Sequence, residues 1–134
     1  MGFILLMLAF LKAGLSQNAD LFPGEKIIVE RTNAARIRES VAPLAVDETL
    51  QASARKHCIW MAEHHSMTHS PATSRVGVAE NISYGQRNSV GAVDTWMHSP
   101  GHRANILNPR YTRIGAACYV TPNGVRYYCE QFGR

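Results

Sequence analysis

No tract of Lys and Arg runs through this 134-residue sequence, and no motif for gripping nucleic acid is present. The formal charge of +4 is spread over Arg31, Arg36, Arg38, Arg55, Lys56, Arg103, Arg110 and Arg113. Basic residues scattered in this way, without interleaved aromatics, describe a solvated surface and not a DNA footprint. Long apolar runs are also missing. Phe3 to Leu11 is the longest, and it is too short to cross a bilayer as a helix. Internal repeats and low-complexity segments are absent, and the length fits one domain. Neither a His-Glu-x-x-His run nor a nucleophile elbow occurs, which removes the two commonest hydrolase signatures.

Cysteine is scarce and odd in number, at three. In a secreted chain that implies one bridge and one spare thiol. Cys118 and Cys129 flank a turn at Pro122-Asn123-Gly124. With Asn123-Gly124 as a two-residue hairpin loop, Cys118 faces Cys129 directly and lies within bridging distance. Pro122 lacks the N–H its pair would use, and a longer loop shifts the register. Cys58 reads as a small buried hydrophobe on a helix.

The first residues read as a targeting segment. Phe3 to Leu11 forms an apolar core, and Gly14 and Ser16 fit a cleavage site, so residues 1–16 are expected to be a signal peptide and residues 17–134 the folded domain. No cysteine follows the cleavage site and no transmembrane anchor is expected. The mature chain should be secreted, or periplasmic in a diderm bacterium, and monomeric.

Apolar periodicity places the helices. Glu25 to Glu39 reads as one, with Ile27, Ile28, Thr32, Ala35 and the stem of Arg31 or Arg38 facing inward. Asp47 should cap the next, where Leu50, Ala54, Cys58, Met61 and His65 form a stripe from about Glu48 to His65. Ala79 to Tyr84 reads as a strand. Ser89 is placed to cap a helix carrying Val90, Val93, Trp96 and Met97. Ser99 and Pro100 open a further short helix that Asn108-Pro109 stops. Ile114–Val120 and Val125–Phe132 form a closing hairpin. Helices on either side of an antiparallel sheet give an α+β layer fold.

The run Trp96 to Asn108 resembles the bacterial branch of the CAP superfamily, which groups cysteine-rich secretory proteins, antigen 5 and plant class 1 pathogenesis-related proteins. Thr68-His69-Ser70, Ala79-Glu80-Asn81-Ile82 and Ile114-Gly115…Cys118…Tyr128-Cys129 match the same family in the same order. The resemblance covers nearly all of the chain after residue 23. It implies a CAP (SCP) domain, a three-layer α-β-α sandwich with a small antiparallel sheet between helices. It also implies a cleft lined by His69, Glu80 and His102, with Ser99 where many relatives carry a second acid. Asn81 and Trp96 would support that cleft, and a closing bridge at Cys118 and Cys129 has parallels in the family.

Two imidazoles and a carboxylate admit two uses. Two neutral histidine nitrogens, of His69 and His102, can ligate zinc or another divalent metal, with Glu80 orienting one ring. Alternatively the three residues form a hydrogen-bond network that pins loops to the sheet. No cofactor is required by the second use. The Asn81-Ile82-Ser83 sequon is discounted because the family places this segment in the core. A Ser99–His102–Asp94 relay is conceivable but lacks any oxyanion hole. The missing second acid favours a non-enzymatic binding module for a lipid, peptide or envelope polymer. A metal-assisted, peptidase-like hydrolase using His69, His102 and Glu80 is the alternative, and a stabiliser or inhibitor acting through protein contacts is a third.

Overall fold

The computed structural model describes residues 20–134. The targeting segment expected at residues 1–16 lies outside them. Helix α1 spans Pro23–Arg38, β1 Ala45–Val46, α2 Glu48–His64, β2 Ala79–Tyr84, α3 Ser89–Met97, α4 Pro100–Leu107, β3 Arg113–Val120 and β4 Arg126–Gly133. A 3-10 turn covers Pro71–Ser74. The strands order as β1-β3-β4-β2. All pairs are antiparallel except the two-residue β1, which runs parallel to β3, so the sheet is mixed.

Alternation along the strands sorts the core into two layers. Ile114 and Ala116 of β3, with Tyr128 and Phe132 of β4, face α1, α3 and α4, where Ile28, Val29, Ala92, Val93, Trp96 and Ile106 close the cluster. Ala117, Tyr127 and Cys129 face the other way, onto Ala54, Cys58, Met61 and Ala62 of α2. The sheet therefore lies between helices, as the α-β-α sandwich requires. Gly115 lets β3 approach α2 closely: a Cβ there would stand 2.2 Å from the backbone carbon of Leu50.

The caps follow side-chain chemistry. Asp47 accepts from the backbone N–H of Leu50 at 2.9 Å and starts α2. Helix α2 stops one residue earlier than its apolar stripe suggests. His65 sits in the left-handed region, with φ of 48°, and is exposed, so it does not pack inward. Asn88, not Ser89, caps α3, because its amide oxygen reaches the N–H of Gly91 at 2.9 Å. Ser99 holds the N-cap backbone position of α4 and Pro100 its first turn, but the Ser99 hydroxyl makes no capping bond.

Arg36, and neither Arg31 nor Arg38, is the inward arginine of α1. It is 1% exposed, and its guanidinium donates to the carbonyl oxygens of Ala42, Ile106, Asn108 and Tyr111 at 2.7–3.1 Å. Burial lowers its pKa, yet four carbonyls, two of them at the end of α4, stabilise the cation. Gln51 of α2 works similarly on the sheet. Its side chain accepts from the N–H of Ala116 at 2.8 Å and donates to the same residue's carbonyl, standing in for the strand that β1 is too short to supply.

The closing hairpin differs from the two-residue loop. Thr121 and Val125 pair across Pro122-Asn123-Gly124, with the Thr121 N–H donating to Val125 O at 2.8 Å. The additional loop residue shifts every pair by one. Cys118 lies opposite Tyr128, and Cys129 opposite Ala117. Cys118 and Cys129 consequently point to opposite faces of the sheet and are not bridged. The structure describes the reduced form, with no disulfide among the three cysteines.

Candidate functional site

Strand β2 carries Glu80 on the α2 face of the sheet, where it is 3% exposed. A carboxylate at that depth must be met by donors, and it is. Oε1 accepts from His69 Nδ1 at 2.8 Å and from the Ser70 N–H at 3.0 Å. Oε2 accepts from Gln131 Nε2 at 2.8 Å and lies 3.6 Å from the Cys129 thiol. Burial alone would raise the Glu80 pKa, but the bonds from Ser70, His69 and Gln131 outweigh it and hold the carboxyl below its usual range.

Proton positions follow from these bonds. With Nδ1 donating to Glu80, neutral His69 keeps Nε2 as a free acceptor, and its ring is 55% exposed. His57 is a third imidazole of the site, 5% exposed on α2. Its Nε2 donates to the carbonyl of Thr68 at 2.7 Å and lies 3.9 Å from Glu80 Oε1. His57 thus ties the loop that presents His69 to the helix beneath it.

His102 enters from α4. Its backbone carbonyl accepts from Asn81 Nδ2 at 3.1 Å, and Asn81 also donates to Glu130 at 2.9 Å and accepts from Asn105 at 3.0 Å. Trp96 donates its indole N–H to Ile82 O at 3.2 Å, and Asn105 reaches Glu80 O at 3.5 Å, so α3 and α4 are fastened along β2. His102 Nδ1 is buried without a hydrogen-bond partner, and so is Gln131 Oε1. Burial lowers the His102 pKa, and the nearby His69 lowers it further, so the ring is held neutral. Because Nδ1 is unpartnered, it donates no bond to Asp94, the bond that a Ser99–His102–Asp94 relay requires.

The donor set bears on a metal directly. Glu80 has both oxygens engaged, which leaves the ring nitrogens of His69 and His102 as the candidate ligands. Among the described residues no group of three or more His, Cys, Asp and Glu side chains could enclose an ion. Two imidazoles fit an open, weakly held site completed by water, and do not fit a closed four-ligand structural site.

Beside His69 runs a groove of about 550 Å³ between α2 and residues 68–75. Trp60, Pro71 and Ala72 give it apolar walls, while Lys56 and Arg75 place two cations on its lining. No Asp or Glu lines it. Trp60 is stacked between His57 and His64, with centroids 5.6 and 4.4 Å away, and is thereby held in one orientation.

Sequence motifs bring His69, Glu80, His102, Asn81 and Trp96 to this region. Ser99 sits at the mouth of α4, with no capping role for its hydroxyl. The sequon asparagine, Asn81, is 0% exposed. Motif reading missed His57 and Gln131. Both carried a signal: His57 shares the inner face of α2 with Ala54 and Met61, and Gln131 alternates with Cys129 and Tyr127 on one face of β4.

Comparison with known proteins places these features. Residues 29–132 match the family model for the cysteine-rich secretory protein family. YkwD of Bacillus subtilis is 37% identical over 121 residues, which is 81% of this chain and 46% of YkwD. The chain spans less than half the length of the curated relatives it matches. Among solved structures, an extracellular protein containing a SCP domain from Bacillus anthracis superposes with a TM-score of 0.73 at 27% identity, over 87% of this chain and 45% of that one. An outer surface protein from Borrelia burgdorferi gives a TM-score of 0.73 at 21% identity, covering 81% of this chain and 90% of that one.

Proposed function

The chain belongs to the cysteine-rich secretory protein family, and from that premise we propose that it acts outside the cell as a non-enzymatic binding module. The extracellular and outer-surface relatives support the location, and no helix among the described residues is long and apolar enough to cross a membrane. Its ligand is an anionic amphiphile of the lipid class, lying in the groove beside His69. The observation that carries this reading is the groove's lining: apolar walls, two cations and no carboxylate. A volume of about 550 Å³ lies within the range of small-molecule sites. Glu80 supports binding over catalysis, because a carboxylate with both oxygens engaged is a poor general base.

Trp60 supplies the test, since it is 38% exposed in the groove while Trp96 is fully buried. Titration with oleate should change Trp60 fluorescence saturably, and Lys56→Glu/Arg75→Glu should abolish the change. A saturable response to an acidic peptide or an envelope polysaccharide in place of oleate would move the ligand class accordingly. No response to any of them would overturn the binding reading.

The partnerless His102 Nδ1 favours a second reading, a metal-assisted hydrolase. His69 and His102 would hold a zinc-type ion, which supplies a Lewis acid and a more acidic bound water. Glu80 would orient His69. Calorimetric titration of zinc at about pH 7.5, beside His69→Ala/His102→Ala, decides the point. Saturable binding lost in the variant supports it, and equal or absent binding in both proteins removes it.

A further inference from the structure

Cys58 and Cys129 lie on the same side of the sheet, in one apolar cluster, and both are 0% exposed. The Cys58 thiol is 3.5 Å from Ala117 O and 3.6 Å from Tyr127 O. Ala117 is the cross-strand partner of Cys129. Tyr127 precedes Cys129 by two residues and so shares its face. These two contacts bracket the Cys129 side chain and set the Cys58 sulfur over it. Cys118 is on the other face, packed near Gly24, with the sheet between it and the pair.

We propose that Cys58 and Cys129 are a disulfide-forming pair that fastens α2 to β4 beneath the candidate site, and that Cys118 is the spare thiol. The inference takes its oxidising environment from the extracellular reading above. The oxidant is a disulfide, R–S–S–R, of a thiol–disulfide oxidoreductase or of glutathione. One thiolate attacks it to form a mixed disulfide, and the second cysteine displaces the other half. The Cys58–Cys129 S–S bond forms, the oxidant's S–S bond breaks, and two R–SH leave with the two protons and two electrons. Exchange takes place before α2 closes on the sheet, because in the folded protein neither sulfur meets solvent and burial pushes the Cys129 thiol well above its usual range.

The pair reports directly to the site. In the reduced form the Cys129 thiol is a donor to Glu80 Oε2. In the disulfide that donor is gone, and Gln131 alone holds that oxygen. The bridge joins positions 71 apart in the chain, so it restricts the unfolded state over half the molecule.

The test is made in vitro, so it does not depend on where the protein acts. The purified chain is refolded in a reduced and oxidised glutathione buffer, alkylated under denaturing conditions, digested, and mapped by mass spectrometry without reductant. The expected result is one linked peptide pair, Cys58 with Cys129, and alkylated Cys118. Cys118→Ser should keep the link. Added reductant should lower the Tm of that variant by roughly 10 °C. A link that includes Cys118, or three alkylated cysteines, would overturn the proposal. Failure of the oleate titration with the link intact would overturn only the lipid reading.

Discussion

Gln131 is the cross-strand partner of Glu80, and its amide donates to Glu80 Oε2 at 2.8 Å. Both side chains are buried on the α2 face of the sheet, and His69 and Ser70 complete the shell around the carboxylate. Glu80→Ala therefore leaves several buried donors unpaired at once. It should cost about 3 kcal/mol or more of stability. Ligand binding, measured below the variant's melting temperature, should fall much less. Wild-type-like melting of Glu80→Ala would sink the assignment of Glu80 as a hydrogen-bond anchor.

Acid should weaken the fold in two stages. His102 has a folded pKa below its unfolded value near 6.5, so the unfolded state binds its proton first. Stability from this group is lost as pH falls through about 6.5 and onward to the folded pKa. Glu80 has a depressed carboxyl pKa, so its contribution is full above its unfolded value and disappears as pH falls through the folded one. Denaturant melts across this range should show the first loss abolished in His102→Gln and the second retained.

Glu130 acts in the opposite direction. It is 0% exposed on the α1 face, bonded to Thr32 at 2.7 Å and to Asn81, and no ion pair forms at it among the described residues. Burial pushes its pKa up to about 7. The folded state then holds a proton that the unfolded state has released above its ordinary pKa, so stability falls as pH rises from about 4.5 through 7. Glu130→Gln keeps the shape and removes the titration. Its stability relative to the parent should improve between about pH 5 and 7, by up to about 3 kcal/mol, and level off above that. A constant difference across that range would show that Glu130 does not titrate there.

Arg36 offers a test that separates charge from packing. Arg36→Met retains the buried stem but strands four carbonyls. It should destabilise by about 3 kcal/mol, and Arg36→Lys should recover only part, because an ammonium cannot reproduce the planar fork. Full recovery by lysine would reduce the role of Arg36 to simple charge.

Much of this site is legible in the chain because its parts lie in short local motifs. His69 precedes a Ser-Pro stop, Glu80 is the second residue of a strand, and His102 follows the Pro-Gly opening of a helix. The β2 boundaries and the Asp47 cap follow from equally local chemistry. What escaped depends on distant partners. Arg31, Arg36 and Arg38 look alike in α1, and only the carbonyls gathered from residues 42 and 106–111 single out Arg36. His57 belongs to the site through a carbonyl eleven residues on, at Thr68. The hairpin register turned on one loop residue, which Pro122 hinted at. That single residue moved Cys118 to the far side of the sheet and gave Cys129 a different neighbour.

Gln51, Trp96 and Asn105 have a consequence beyond the interior. An open strand edge is a template that recruits passing chains. Here one edge is completed at Ala116 by an amide side chain, and the other has the carbonyls of Glu80 and Ile82 occupied by Asn105 and Trp96. At those positions a fifth strand would have to displace the side chains that already hold the edge. In the proposed binding mode, recognition falls to side chains in the groove, where chemical character and not backbone complementarity would select the guest.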